Sequence, residues 1–100
     1  MSIAKDILID EYNRLNNLLQ EYKNMLDNLP KGSLSKKKIK NHIYFYLAYR
    51  IKSKVKFDYI GKKYSERYIE IVNQLSERKK LMNKIRQVKQ YIKELKRYVK

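Results

Sequence analysis

Apolar side chains divide the chain into three stretches with different periods. From residue 1 to 29 they fall at Leu8, Tyr12, Leu15, Leu19, Tyr22, Leu26 and Leu29, alternating steps of four and three. That spacing keeps one apolar seam on a helix face for three heptads, so a long helix over 1–29 is predicted. Pro30 ends it, because proline has no N–H to donate and its ring collides with the preceding turn. Between residues 33 and 60 the period shortens. Ile43-Tyr44-Phe45-Tyr46-Leu47-Ala48-Tyr49 is dense in aromatic and branched residues, and Lys54-Val55-Lys56-Phe57-Asp58-Tyr59 alternates polar with apolar, as a half-buried strand does. A weaker strand runs from about Leu34 to Lys40. Asn41-His42 and Ile51-Lys52-Ser53 then have the length of hairpin connections, and Gly61 punctuates the end. A three-stranded antiparallel meander over 33–60 is predicted.

From residue 64 to 99 the helical period returns. Tyr64, Tyr68, Ile71 and Leu75 form one seam, and Leu81, Ile85, Val88, Ile92, Leu95 and Val99 continue it after a phase change near Ser76–Lys80. No Gly or Pro lies at that change, so one continuous helix with a local shift in winding is expected. Ser65 is its N-cap, with Glu66 in the first turn. The fold class is therefore α+β: helix, meander, helix in a single domain over 1–100, the two helices pairing as an antiparallel coiled coil. Asp6, Asp10 and Glu11 would then lie near Lys89, Lys93, Lys96 and Arg97. The same seams could instead join two copies of the chain as a homodimer.

Composition narrows the function classes. The 100 residues contain no Cys and one His, which removes disulfide scaffolds, thiolate zinc sites and most triad or metal chemistry from contention. No catalytic role, metal or cofactor is expected. His42 falls in an expected turn without a co-ligand, and Asp58 is the one carboxylate of its segment, too few for an acid/base pair. The longest uncharged apolar run is Ile43–Tyr49, too short to cross a bilayer, and the mixed polarity of residues 1–6 shows no apolar leader. A reducing, cytoplasmic location is expected, and binding to a membrane surface is disfavoured.

Charge points to a partner. The net charge is +15, unevenly spread: residues 1–30 hold three bases against five acids, residues 31–63 eleven bases against one acid, and residues 64–100 eleven against four. Concentrating the excess in the meander suits a polyanion. The candidate nucleic-acid contacts are Lys36, Lys37, Lys38, Lys40, Arg50, Lys54 and Lys56 for phosphate, with Tyr44 and Tyr46 for stacking. Strand alternation sets Ile43, Phe45, Leu47 and Tyr49 on one side of the middle strand, the side expected to pack on the helices. Tyr44, Tyr46, Ala48 and Arg50 lie on the other, expected to face ligand together with the neighbouring lysines.

Leu29-Pro30-Lys31-Gly32-Ser33-Leu34, Lys37-Lys38-Ile39, Tyr44-Phe45-Tyr46-Leu47-Ala48-Tyr49-Arg50 and Lys54-Val55-Lys56-Phe57-Asp58-Tyr59-Ile60-Gly61-Lys62 resemble a domain-of-unknown-function family of small basic proteins from low-GC bacteria and their mobile elements. The resemblance covers residues 29–62 and implies a helix–meander–helix architecture without an assigned activity. In composition the meander also looks like the three-stranded sheet with which phage-type integrases bind DNA arm sites. The expected function is a non-enzymatic DNA- or RNA-binding module of a phage or mobile element. The alternatives are a phage-encoded inhibitor of a bacterial defence nuclease, anti-CRISPR-like, with a nuclease or ribonucleoprotein as partner, and a homodimeric coiled-coil adaptor.

Overall fold

A computed structural model describes residues 3–99 and has the expected order: helix α1 (Ile3–Asp27), strands β1 (Ser33–Ile39), β2 (His42–Ile51) and β3 (Lys54–Gly61), and helix α2 (Glu66–Val99). The strands form one antiparallel sheet in the order β1-β2-β3. The described residues make two compact units, one of residues 29–78 and one of residues 3–28 with 79–99, so α2 contributes to both.

In the helical unit, α1 ends at Asp27 rather than 29. Asn28 N–H closes a short turn on the Met25 carbonyl (3.2 Å), and Pro30 prevents another turn. The heptad seam is the packed side: Leu15 is buried, and Leu8, Tyr12, Leu19, Tyr22 and Leu26 are half-buried. On α2, Leu81, Ile85 and Val88 are buried at steps of four and three. One groove is lined by Leu15, Leu18, Val88 and Leu95, and another by Leu26, Met82 and Ile85. The beginning of α1 thus meets the end of α2, and the pairing is antiparallel. Among the described residues the ion pair of Glu11 is intrahelical, with Arg14, rather than across to the α2 lysines. α2 is unbroken through Ser76–Lys80, and its phase change falls where it passes from one unit to the other.

In the sheet unit, Phe45, Leu47 and Ile60 form the core, covered by Tyr49 and by Tyr68, Ile71 and Leu75 of α2. The Phe45 ring meets Tyr68 edge-on with centroids 4.8 Å apart. Both hairpins turn on two residues, Lys40-Asn41 and Lys52-Ser53. Each turn opens on a lysine in the left-handed region (φ 50° and 56°), the sign that a primed turn needs at that position to match strand twist. The connections expected at Asn41-His42 and Ile51–Ser53 are thus corrected: His42 and Ile51 pair within β2, and Lys40 leaves the first strand for the turn.

β3 joins α2 through a tight corner. Gly61 has φ +113°, and a Cβ there would come within 2.8 Å of Ser65 Oγ. Ser65 is the expected N-cap: its Oγ accepts from Tyr68 N–H (3.3 Å) and lies 3.4 Å from the Ile60 carbonyl, to which its hydroxyl donates. Tyr64 does not belong to the α2 seam. It precedes the helix with φ 68°, is 71 % exposed, and sets its ring against Tyr68.

Candidate nucleic-acid interface

Register decides which side chains share a face. Residues directly opposite in a ladder point the same way. β2 pairs Ser35 with Tyr46 and Lys37 with Tyr44 on one flank, and Tyr59 with Tyr46, Phe57 with Ala48 and Val55 with Arg50 on the other. The face turned away from the Phe45–Leu47–Ile60 core therefore carries Lys37, Ile39, Tyr44, Tyr46, Arg50, Val55, Phe57 and Tyr59. The core side carries Lys36, Lys38, Lys54, Lys56 and Asp58, which pair with Phe45, Ile43, Ile51, Tyr49 and Leu47 respectively.

This arrangement divides the expected site. Lys37, Arg50, Tyr44 and Tyr46 come together on the open face. Lys36, Lys38, Lys54 and Lys56 stand on the outer strands of the opposite face, exposed but not beside those tyrosines, and Lys40 occupies a turn. The expectation that neighbouring-strand lysines share a face with Tyr44 and Tyr46 is corrected for these four. The cause is the register set by the two-residue turns, which puts Lys38 opposite Ile43 and Lys54 opposite Ile51; the bulge between Phe45 and Tyr46, which leaves Ile60 as an extra residue of β3, comes after those positions. Ile43 lies on the packed side as expected, yet remains 45 % exposed.

Two residues that sequence reasoning left out of the site join it. Phe57 and Tyr59 are each 53 % exposed on the open face, between half-exposed Val55 and Ile39. Tyr59 contacts both central tyrosines, with ring centroids 6.0 Å from Tyr44 and 5.5 Å from Tyr46. The planes are tilted by 56° and 60°, so the rings brace one another by their edges without stacking face to face. Ile39, Tyr44, Tyr46 and Tyr59 line a shallow open depression. Lys37 Nζ sits 5.8 Å from the Tyr46 centroid and 5.9 Å from that of Phe57, within reach of a cation–π attraction. His42 extends the row beyond Tyr44 at 6.3 Å.

The electrostatics are one-signed. None of the strand residues on the open face is acidic, because Asp58 points to the other side. There, half-burial pushes the Tyr49 phenol above its ordinary value, aided by the Asp58 carboxylate, which disfavours a second negative charge. Among the described residues no group of three or more His, Asp or Glu could hold a metal ion, and no helix is long and apolar enough to cross a membrane.

Residues 8–70 match the model of a domain of unknown function, DUF6788. The match agrees with the expected kind of family and extends the resemblance beyond the meander, through most of α1 and just past the first turn of α2. No curated protein and no solved structure matches the chain.

Proposed function

The chain belongs to the DUF6788 family, and we propose that it acts as a non-enzymatic nucleic-acid-binding module of a phage or mobile element. The observation that carries the reading is a basic sheet with an uncovered face: Lys37 and Arg50 stand with exposed rings on a face whose described strand residues include no carboxylate. Lysine and arginine neutralise phosphates and release their counterions, so affinity comes from charge and falls with salt. Lys37, Lys40 and Arg50 make the phosphate contacts in this reading, with Tyr44 and Tyr46 beside them. Lys36, Lys38, Lys54 and Lys56 raise the potential of the whole sheet without touching the strand bound on its open face.

The test is fluorescence anisotropy of the full chain with labelled nucleic acid over a salt series. Each lost phosphate contact should flatten the slope of log K against log salt by about 0.7 for a single strand or about 0.9 for a duplex. A Lys37→Gln/Arg50→Gln variant is expected to bind more weakly with a flatter slope, whereas Lys36→Gln/Lys38→Gln should change the slope less. Equal slopes for wild type and the Lys37/Arg50 variant would remove this surface from the proposal. A protein partner retained after nuclease digestion would favour the defence-nuclease inhibitor instead.

A further inference from the structure

We infer that the open sheet face takes single-stranded nucleic acid, with unpaired bases stacking on Phe57 and Tyr59 and the Tyr44 and Tyr46 rings supporting them. This rests on the nucleic-acid reading above and narrows it to a substrate class.

β3 wears its apolar residues on the unexpected side. In a sheet with one packed face, the apolar half of an alternating strand belongs against the core. Here Lys54, Lys56 and Asp58 take the core side, while Val55, Phe57 and Tyr59 stand 49 %, 53 % and 53 % exposed on the other. With Ile39, which is 49 % exposed, they make a continuous apolar and aromatic patch, a feature that marks an interaction surface more often than an idle one.

The chemistry of the patch selects its occupant. A duplex keeps the faces of its bases inside the stack and offers groove edges, which are read by side chains rich in donors and acceptors. This face offers mainly rings. An unpaired strand exposes base faces, and sheets that present aromatic side chains stack two or three bases each. Tyr59 lies 5.5 Å and 6.0 Å from the two central tyrosines, so its ring is held in place by its neighbours while half of it remains open to a base. Lys37 brings an ammonium within 6 Å of two of the rings, Arg50 ends the row along β2, and Lys40 and Lys52 occupy the turns at the two ends of the sheet. A second copy docked through the same face would bring the basic Lys37 and Arg50 against an equally basic surface, a like-charge meeting that disfavours self-association through this face. A strand with a phosphate at every nucleotide is complementary to it.

The experiment uses the full chain, labelled oligothymidylate and a labelled hairpin duplex. Wild type is expected to bind the single strand about tenfold or more tighter than the duplex. Phe57→Thr and Tyr59→Thr should each weaken single-strand binding roughly 5- to 150-fold, the cost of one lost stacked base, and leave the salt slope unchanged. Tyr59→Trp keeps a ring and should keep the affinity. Since the chain has no Trp, the introduced indole is a single reporter whose fluorescence should be quenched when the strand binds. Should circular dichroism show either threonine variant unfolded, the Tyr59→Trp quench decides alone. Duplex binding as tight as single-strand binding, or an indole signal unmoved at saturation, overturns the inference and leaves the broader nucleic-acid reading standing. Absence of binding to either ligand at physiological salt overturns both.

Discussion

Replacing Gly61 with alanine tests how the sheet is joined to α2. Gly61 has φ +113°, a value that L side chains rarely adopt, and holding alanine there costs about 1–3 kcal/mol in backbone strain. The new methyl would also stand 2.8 Å from Ser65 Oγ, the atom that caps α2 by accepting from Tyr68 N–H. Displacing that hydroxyl forfeits the cap, worth about 1 kcal/mol. Gly61→Ala should therefore cost about 2–4 kcal/mol and Ser65→Ala about 1 kcal/mol. The costs should not add. With Ser65 already alanine the obstructing oxygen is gone, and the next atom, Ser65 Cβ, lies at an ordinary 3.5 Å. The double variant should thus be about 1 kcal/mol more stable than the sum of the two single losses predicts. Urea unfolding followed by far-UV circular dichroism measures all four corners of the cycle. Costs additive within about 0.3 kcal/mol, or a Gly61→Ala variant as stable as wild type, would refute the argument that one steric contact couples corner and cap.

Tyr49 supplies a pH dependence. Its phenol is held above the ordinary value of 10.0 by burial and by Asp58, so the folded state keeps a proton that the unfolded chain has lost. The stability this contributes is complete below pH 10.0 and is lost as pH rises through the folded value; Tyr49→Phe should be less sensitive over that window in thermal melts, and Asp58→Asn should bring the late tyrosinate absorbance earlier. Lys40 and Lys52 hold positive φ at turn positions where asparagine is more at ease, so Lys40→Asn and Lys52→Asn should each raise stability by up to about 1 kcal/mol in urea titrations. A fall in the midpoint would mean that those lysines make stabilising contacts outweighing their backbone strain.

The helices were legible because Leu, Ile and Val at steps of four and three allow only one packed side: Leu15, Leu81, Ile85 and Val88 are buried where the seams put them. The middle strand was legible for a similar reason, since Phe45 and Leu47 alternate with polar-tipped tyrosines, and both are buried. β3 was not. Lys54-Val55-Lys56-Phe57-Asp58-Tyr59 has the same alternation whichever side is covered, and only the pairing register assigns its faces. That register is set by two-residue turns opened by lysines in a conformation usually given to Gly or Asn, a feature without a sequence signature. The candidate site was accordingly half legible. Lys37, Arg50, Tyr44 and Tyr46 share a face, whereas the four lysines assigned to it from neighbouring strands lie behind it, with Phe57 and Tyr59 in their place. The 53 % exposure of those two rings was the missing signal, and it exists only once the strands are paired.

The most direct measurement is a backbone amide NMR titration of the full chain with a short single-stranded oligonucleotide. Saturable shift changes are expected to concentrate on β2 and β3 around Tyr44, Tyr46, Phe57 and Tyr59, and on Lys37 of β1, with the Leu81–Val88 stretch of α2 little changed. Perturbations confined to α1 and the C-terminal half of α2, or none at a concentration that saturates binding, would contradict that expectation.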